Sequence, residues 1–140
     1  MKNELTFCLW FDGQAKAAAE FYCSIFENSS ITSENPFVVT FELNGRKMMG
    51  LNGGPHFKFN ESVSLVVSCE TQEEIDYYWA KLTDGGEESM CGWLKDKFGF
   101  SWQIVPTILA SLMSDTDKAP RVMQAFSQMK KFNIQTLINA

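Results

Sequence analysis

The stretch Cys91-Gly-Trp-Leu-Lys-Asp-Lys-Phe-Gly-Phe-Ser-Trp-Gln-Ile-Val-Pro106 decides the fold. It reads as a short strand, a turn built on Asp96 and Gly99, and a second strand that Pro106 stops. That second strand alternates. Trp102 and Ile104 point one way and Ser101, Gln103 and Val105 the other, so one face suits a core and the other a pocket.

Upstream of this hairpin the pattern predicts a strand over Ser62–Ser68 and a helix over Thr71–Leu82. Thr71 is placed as its N-cap, with Glu73, Glu74 and Asp76 near its positive end. The same order opens the chain. Leu5–Phe11 alternates as a strand, Asp12-Gly13 ends it, and Gln14–Ile25 carries a helical stripe of Ala17, Ala18, Phe21, Tyr22 and Ile25. Residues 28–33 predict a short strand. Phe37–Leu43 and Arg46–Leu51 then form a hairpin across Asn44-Gly45, a dipeptide suited to a type I′ turn. Phe21-Tyr22 and Tyr77-Tyr78 fall at matching helical positions, so the two halves read as copies. After Pro106 the periodicity predicts helices over Thr107–Met113, Ala119–Met129 and Ile134–Ile138, with Pro120 in a first turn. The expectation is one α+β domain: module one over about 1–56, module two over about 60–106, and a helical tail over 107–140.

Composition narrows the function classes. The chain has 140 residues, 45% of them hydrophobic, with twelve Phe and four Trp, ample for a core. Its net charge of −5 argues against nucleic-acid binding, which needs a basic footprint. No apolar run approaches a membrane span, and Met1-Lys-Asn-Glu-Leu5 has no signal-like apolar region. Cys8, Cys23, Cys69 and Cys91 form no CxxC pair, so a reduced, cytoplasmic protein is expected.

Period two separates the strand faces. Phe7, Leu9 and Phe11 oppose Thr6, Cys8 and Trp10. Val63, Leu65 and Val67 oppose Ser62, Ser64, Val66 and Ser68. The second set of faces collects Thr, Cys, Ser and Gln, the lining of a semi-polar cavity or of a merely solvated sheet. Thr6, Cys8, Trp10, Ser62, Ser64 and Gln103 are the candidate ligand-binding residues.

Two strand–helix–strand units closing on Asp96-x-Phe-Gly99-x-x-Trp102-Gln103-Ile104 resemble the vicinal oxygen chelate superfamily of glyoxalases, dioxygenases and antibiotic-resistance proteins. Leu9-Trp-Phe-Asp-Gly13, Ala19-Glu-Phe-Tyr22, Leu51-Asn-Gly-Gly-Pro-His-Phe-Lys-Phe59, Cys69-Glu-Thr-Gln72 and Cys91–Pro106 are similar to its PhnB-like branch, often labelled 3-demethylubiquinone-9 3-methyltransferase-like. The resemblance implies two βαβββ modules forming a curved mixed sheet around a cavity, helices on the outer face, and commonly a homodimer. Metal-dependent members use His, Glu or Gln ligands, two from each module. Carried over, these positions fall near Thr6, within Lys47–Leu51, near Ser62 and at Gln103, and only Gln103 is a plausible ligand. No metal and no cofactor are therefore expected. A Rossmann-type methyl-donor site needs a Gly-rich loop between a parallel strand and a helix. Gly53-Gly54-Pro55 follows a hairpin strand and precedes no helix.

Catalytic candidates are His56, with Lys58 as an anion partner, Glu42 on the polar face of its strand, and Cys91 in a loop. A loop His bonded to backbone competes with the first of these. Cys8 and Cys69 read as buried, inert thiols, Cys69 above all. Three functions stay open: a small-molecule-binding protein, a metal-independent enzyme in the same cavity, and an interaction protein whose cavity is vestigial.

Overall fold

The alternating segments form two four-stranded sheets, one in each half of the chain. A computed structural model describes residues 3–140. These fall into two compact units, one ending at Phe59 and the other running from Asn60 to Ala140.

The first unit runs β1 (Phe7–Phe11), α1 (Ala15–Ile25), β2 (Ser30–Glu34), β3 (Val38–Leu43) and β4 (Arg46–Asn52). Its sheet has the order β1-β4-β3-β2, with β1 parallel to β4 and the other pairs antiparallel. The β3–β4 hairpin turns on Asn44 (φ 52°) and Gly45 (φ 78°), the two positive values that a type I′ turn requires. Phe41 and Met48, paired across that hairpin, are both buried on the face that α1 covers. Ala15, Ala18, Ala19, Tyr22 and Ile25 form the buried stripe of α1. The helix lies so close to β4 that a Cβ on Gly50 would stand 3.0 Å from the Cβ of Ala15. Gln14 gives α1 no side-chain cap. Asn52, at the end of β4, supplies it instead by accepting from the Ala15 N–H at 2.9 Å. The outermost strand, β2, pairs with β3 through a register slip between Ile31 and Ser33, a bulge.

The second unit repeats the order: β5 (Ser64–Cys69), α2 (Gln72–Thr83), β6 (Glu87–Glu88), β7 (Trp93–Lys95) and β8 (Ser101–Pro106). The sheet order is β5-β8-β7-β6, again with its outer pair, β5 and β8, parallel. Thr71 begins α2 with a capping box: its side chain accepts from the Glu74 N–H, and the Glu74 side chain accepts from the Thr71 N–H. Ile75, Trp79 and Leu82 of α2 are buried, as are Leu94, Trp102 and Ile104 on the sheet beneath. The turn between β7 and β8 is organised by Asp96, which is 2% exposed. Its Oδ1 accepts from the Phe98 and Phe100 N–H groups at 2.8 and 3.1 Å, and its Oδ2 from the Trp102 indole at 2.9 Å.

Three helices follow: α3 (Ile108–Ser114), α4 (Ala119–Phe126) and α5 (Ile134–Ile138). The α4 helix ends short of the expected Met129. The carbonyls of Met129 and Lys130 leave the helical ladder to accept from the Cys91 and Gly92 N–H groups at 2.7 and 2.8 Å. Gln72 at the start of α2 holds the tail from the other side. It donates to the Phe132 carbonyl at 3.0 Å and accepts from the Ile134 N–H at 2.8 Å. Among the described residues, no helix is long and apolar enough to cross a membrane.

Two further expectations are corrected. The buried counterpart of Tyr22 in the second helix is Trp79, one residue beyond the Tyr78 that the sequence match supplies, because Ile75, Trp79 and Leu82 are the positions α2 buries. Val63 precedes β5 and is 56% exposed, so it does not join the covered face.

Candidate functional site

In the first unit, β1 buries Leu9 and Phe11 and turns Cys8 and Trp10 the other way. The ladder sets Cys8 beside Met49, Met49 beside Thr40, and Lys47 beside Glu42 on that open face. A groove of about 340 Å³ lies here, lined by Thr6, Thr32, Thr40, Glu42, Lys47 and Met49 among others. Its polar groups are largely engaged with one another. Thr40 Oγ1 is hydrogen-bonded to the Thr32 and Ser33 hydroxyls at 2.8 and 2.5 Å. Lys47 Nζ donates to Glu4 at 2.6 Å, and this bond holds the ammonium above its ordinary pKa.

Trp10 has a structural task outside that groove. Its indole donates to the Gly54 carbonyl at 2.8 Å, and its ring meets the Phe57 ring edge-on at 4.8 Å. A Cβ on Gly53 would stand only 2.3 Å from the Trp10 ring, so glycine is required there. The Gly53-Gly54 pair is thus filled by Trp10, and no helix follows it before β5. It is not a phosphate cradle. His56 and Lys58 are exposed in the same loop, outside the groove. The structure therefore brings Thr6 and Glu42 into one groove and leaves Cys8, Trp10 and His56 outside it.

The second unit holds the larger cavity, about 450 Å³, within the range of small-molecule sites. Trp93, Lys95 and Ser101 line it on the open sheet face, with Cys91, Glu61 and Glu87 around them. The register sets Lys95 opposite Ser101 and Trp93 opposite Gln103. Gln103 does not reach outward as a free group, because its Nε2 donates to Ser64 Oγ at 2.9 Å. Ser62 lies before β5, where its hydroxyl donates to the Asn60 side chain at 2.5 Å. Ser101 is 0% exposed, and among the described residues its Oγ has no hydrogen-bond partner. Lys95 Nζ stands 3.3 Å from Glu61 Oε1. Cys91 lines the cavity with a positive φ of 59°, an unusual conformation for a residue other than Gly, Asn or Asp.

Alternation along the chain places Ser101 on this face, whereas Lys95 and Glu61 carry no mark in the sequence of their position beside it. Alternation along β8 gives a side, but not depth. The partnership of Lys95 with Ser101 depends on where the Asp96 turn closes, and Asp96 was the available signal.

The thiols divide differently from the expectation. Cys69 is buried, and its pKa is pushed to about 11, first by burial and then by the negative charge of Glu74. Cys8 is exposed rather than buried, because β1 turns it to the open face. Partial desolvation still raises its thiol pKa.

The donor set does not fit a divalent ion of the superfamily type. In the first unit Thr6 shares its groove with the Lys47 ammonium, and Lys47–Leu51 contains neither acid nor imidazole. In the second, Ser62 and Gln103 are a hydroxyl and a neutral amide, each bonded to a neighbouring side chain. Hard divalent cations require several charged or carbonyl oxygens. Among the described residues, no three His, Cys, Asp or Glu side chains gather to hold an ion.

The family model described as 3-demethylubiquinone-9 3-methyltransferase matches residues 3–105. A PhnB protein structure from Bacillus cereus is similar at 35% identity and a TM-score of 0.68, over 75% of this chain and 100% of that one. Two further structures share the fold. A fosfomycin resistance protein from Listeria monocytogenes, complexed with Mn(II) and sulfate, has 13% identity and a TM-score of 0.60, covering 81% of this chain and 98% of its own. A glyoxalase-related enzyme from Fulvimarina pelagi has 16% identity and a TM-score of 0.56, covering 78% and 91%. No curated protein matches the chain.

Proposed function

Because the chain belongs to the 3-demethylubiquinone-9 3-methyltransferase family, with its PhnB-like and glyoxalase-like fold, we propose that it is a small-molecule-binding protein. It holds an organic ligand in the cavity of its second unit, without a superfamily-type metal centre. The observation that carries this reading is the composition of that cavity. An aromatic wall at Trp93 adjoins an ammonium and hydroxyls on one strand face, as small-molecule sites commonly do. The Gly53-Gly54 loop, packed against Trp10, is not the Gly-rich loop of a Rossmann-type methyl-donor site.

Protein-observed NMR with a fragment library, repeated after treatment with a chelator, tests the proposal. Fragments should bind, shift the amides of β7 and β8, and be indifferent to the chelator. Binding that disappears on chelation and returns with Mn(II) would overturn the metal-free reading.

A metal-independent enzyme in the same cavity is the second reading, favoured by the position and backbone of Cys91. Local strain of this kind gathers at functional sites. Turnover of any bound compound should then vanish in Cys91→Ser while binding persists. A homodimer belongs to the same proposal, since the first unit exposes Leu5, Phe37 and Phe57, which a second copy would cover. Sedimentation equilibrium would give a single species of twice the chain mass. The four cysteines are free, which supports the reduced cytoplasmic setting also proposed.

A further inference from the structure

Resting on the reading of the second unit's cavity as a ligand site, we infer that its ligand is a small zwitterion of amino-acid type. The ligand carboxylate is taken by Lys95 and Ser101, its ammonium by Glu61 and Glu87, and its body lies along Trp93.

The sheet register places these groups in one row. Ser101 pairs with Lys95 across β8 and β7, and Lys95 pairs with Glu87 across β7 and β6. Directly paired side chains share a face and lie within reach of one another. The row therefore reads hydroxyl, ammonium, carboxylate. Trp93, two residues before Lys95 on the same strand, stands on the same face. Ser101 is the informative member. Native proteins pair their buried polar groups, and one without a protein partner is open to an ordered water, an ion or a ligand group. This hydroxyl is wholly buried, has no partner among the described residues, and lines the cavity.

Charge selects the ligand class. Among the residues lining the cavity, Lys95 is the one cation, set against the carboxylates of Glu61, Glu87 and Glu88. Glu88 is turned toward α2, where it accepts from the Trp79 indole at 3.2 Å. A simple anion would enter a cavity already rich in negative charge. A simple cation would meet Lys95 beside its deepest donor. A zwitterion replaces the 3.3 Å Lys95–Glu61 pair with two new pairs, so that neither protein charge loses a partner. The pair is part-exposed, its side chains being 35% and 63% accessible, so opening it costs little.

The test titrates the full chain with phenylalanine, N-acetylphenylalanine and phenylalaninamide, following the Trp93 indole resonance. Phenylalanine should bind about ten-fold or more tightly than either blocked form, one of which lacks the ammonium and the other the carboxylate. Lys95→Met, Ser101→Ala and Glu61→Gln should each weaken it by roughly five-fold or more, as expected when one partner of a charged or hydrogen-bonded contact is removed. Ser101→Ala removes a hydroxyl with no hydrogen-bond partner among the described residues, so it should unfold no more easily than the parent chain. Equal binding of the N-acetyl form, or of the amide, would overturn the zwitterion assignment. So would phenylalanine binding that survives both Lys95→Met and Ser101→Ala. If library fragments shift β7 and β8 while no amino acid does, this inference fails and the ligand-binding proposal stands. If nothing binds there, both fail.

Discussion

At the residue scale, Asp96 shows how much one side chain can fix. Both of its oxygens are used, on two backbone N–H groups and the Trp102 indole, at 2% exposure. Asp96→Asn keeps the shape but puts an NH₂ group against an N–H. It is expected to cost about 2–3 kcal/mol, the value of hydrogen bonds to a charged group in a buried setting, measured by urea unfolding. The sequence revealed Asp96 as a turn residue through its spacing from Gly99. Its bond to Trp102 was not legible, because a side-chain reach across a turn leaves no periodic trace. The thiols give a second prediction. With its pKa at about 11, Cys69 is thiolate in roughly one molecule per thousand at pH 8. Iodoacetamide should therefore mark exposed Cys8 well before Cys69, read by peptide mass spectrometry. The burial of Cys69 was readable from its apolar run, but the aspect of Cys8 required knowing which face α1 covers.

At the element scale, the two matched helices are started by different means. Thr71 and Glu74 cap α2 locally; the place of Thr71 before the helical run marks it as the N-cap in the sequence, and the return bond from Glu74 is added by the structure. The cap of α1 comes from Asn52, far along the chain, and no local pattern announces it. Thr71→Ala should destabilise the fold by about 1 kcal/mol, seen as a lower thermal midpoint. The start of α2 is also acid-sensitive. The Thr71 and Glu70 N–H groups hold the Glu74 carboxyl below its ordinary pKa, and hydrogen bonds from Lys131 and Gln72 do the same for Asp76. Both groups titrate lower in the folded chain than in the unfolded one. Their stabilisation is therefore complete above the ordinary carboxylate range and is lost as pH falls through the lowered values. Urea midpoints should decline from pH 6 toward pH 3, and the decline should be shallower in a Glu74→Gln, Asp76→Asn double variant.

At the scale of the whole molecule, the repeated strand–helix–strand order was legible because each module carries its own alternation, stripe and hairpin. The two sheets follow that plan, and both join their outer parallel pair in the same way. What the periodicity could not convey was the attachment of the tail. The family pattern ends at residue 105, and beyond it Phe132 is buried against Gly92, where a Cβ would come within 2.4 Å of its ring. Phe132→Ala should cost about 3–5 kcal/mol, as expected for a large ring removed from a core. Hydrogen exchange should speed up at the Cys91 and Gly92 amides, which the tail carbonyls now hold.

The bulge between Ile31 and Ser33 has a consequence for how the protein behaves at high concentration. It lies on β2, the outer strand of its sheet, where Glu34 is paired with Lys16 at 3.3 Å. A strand that is kinked, polar and charged is a poor template for recruiting another chain. That rim of the sheet is thereby guarded against fibril growth.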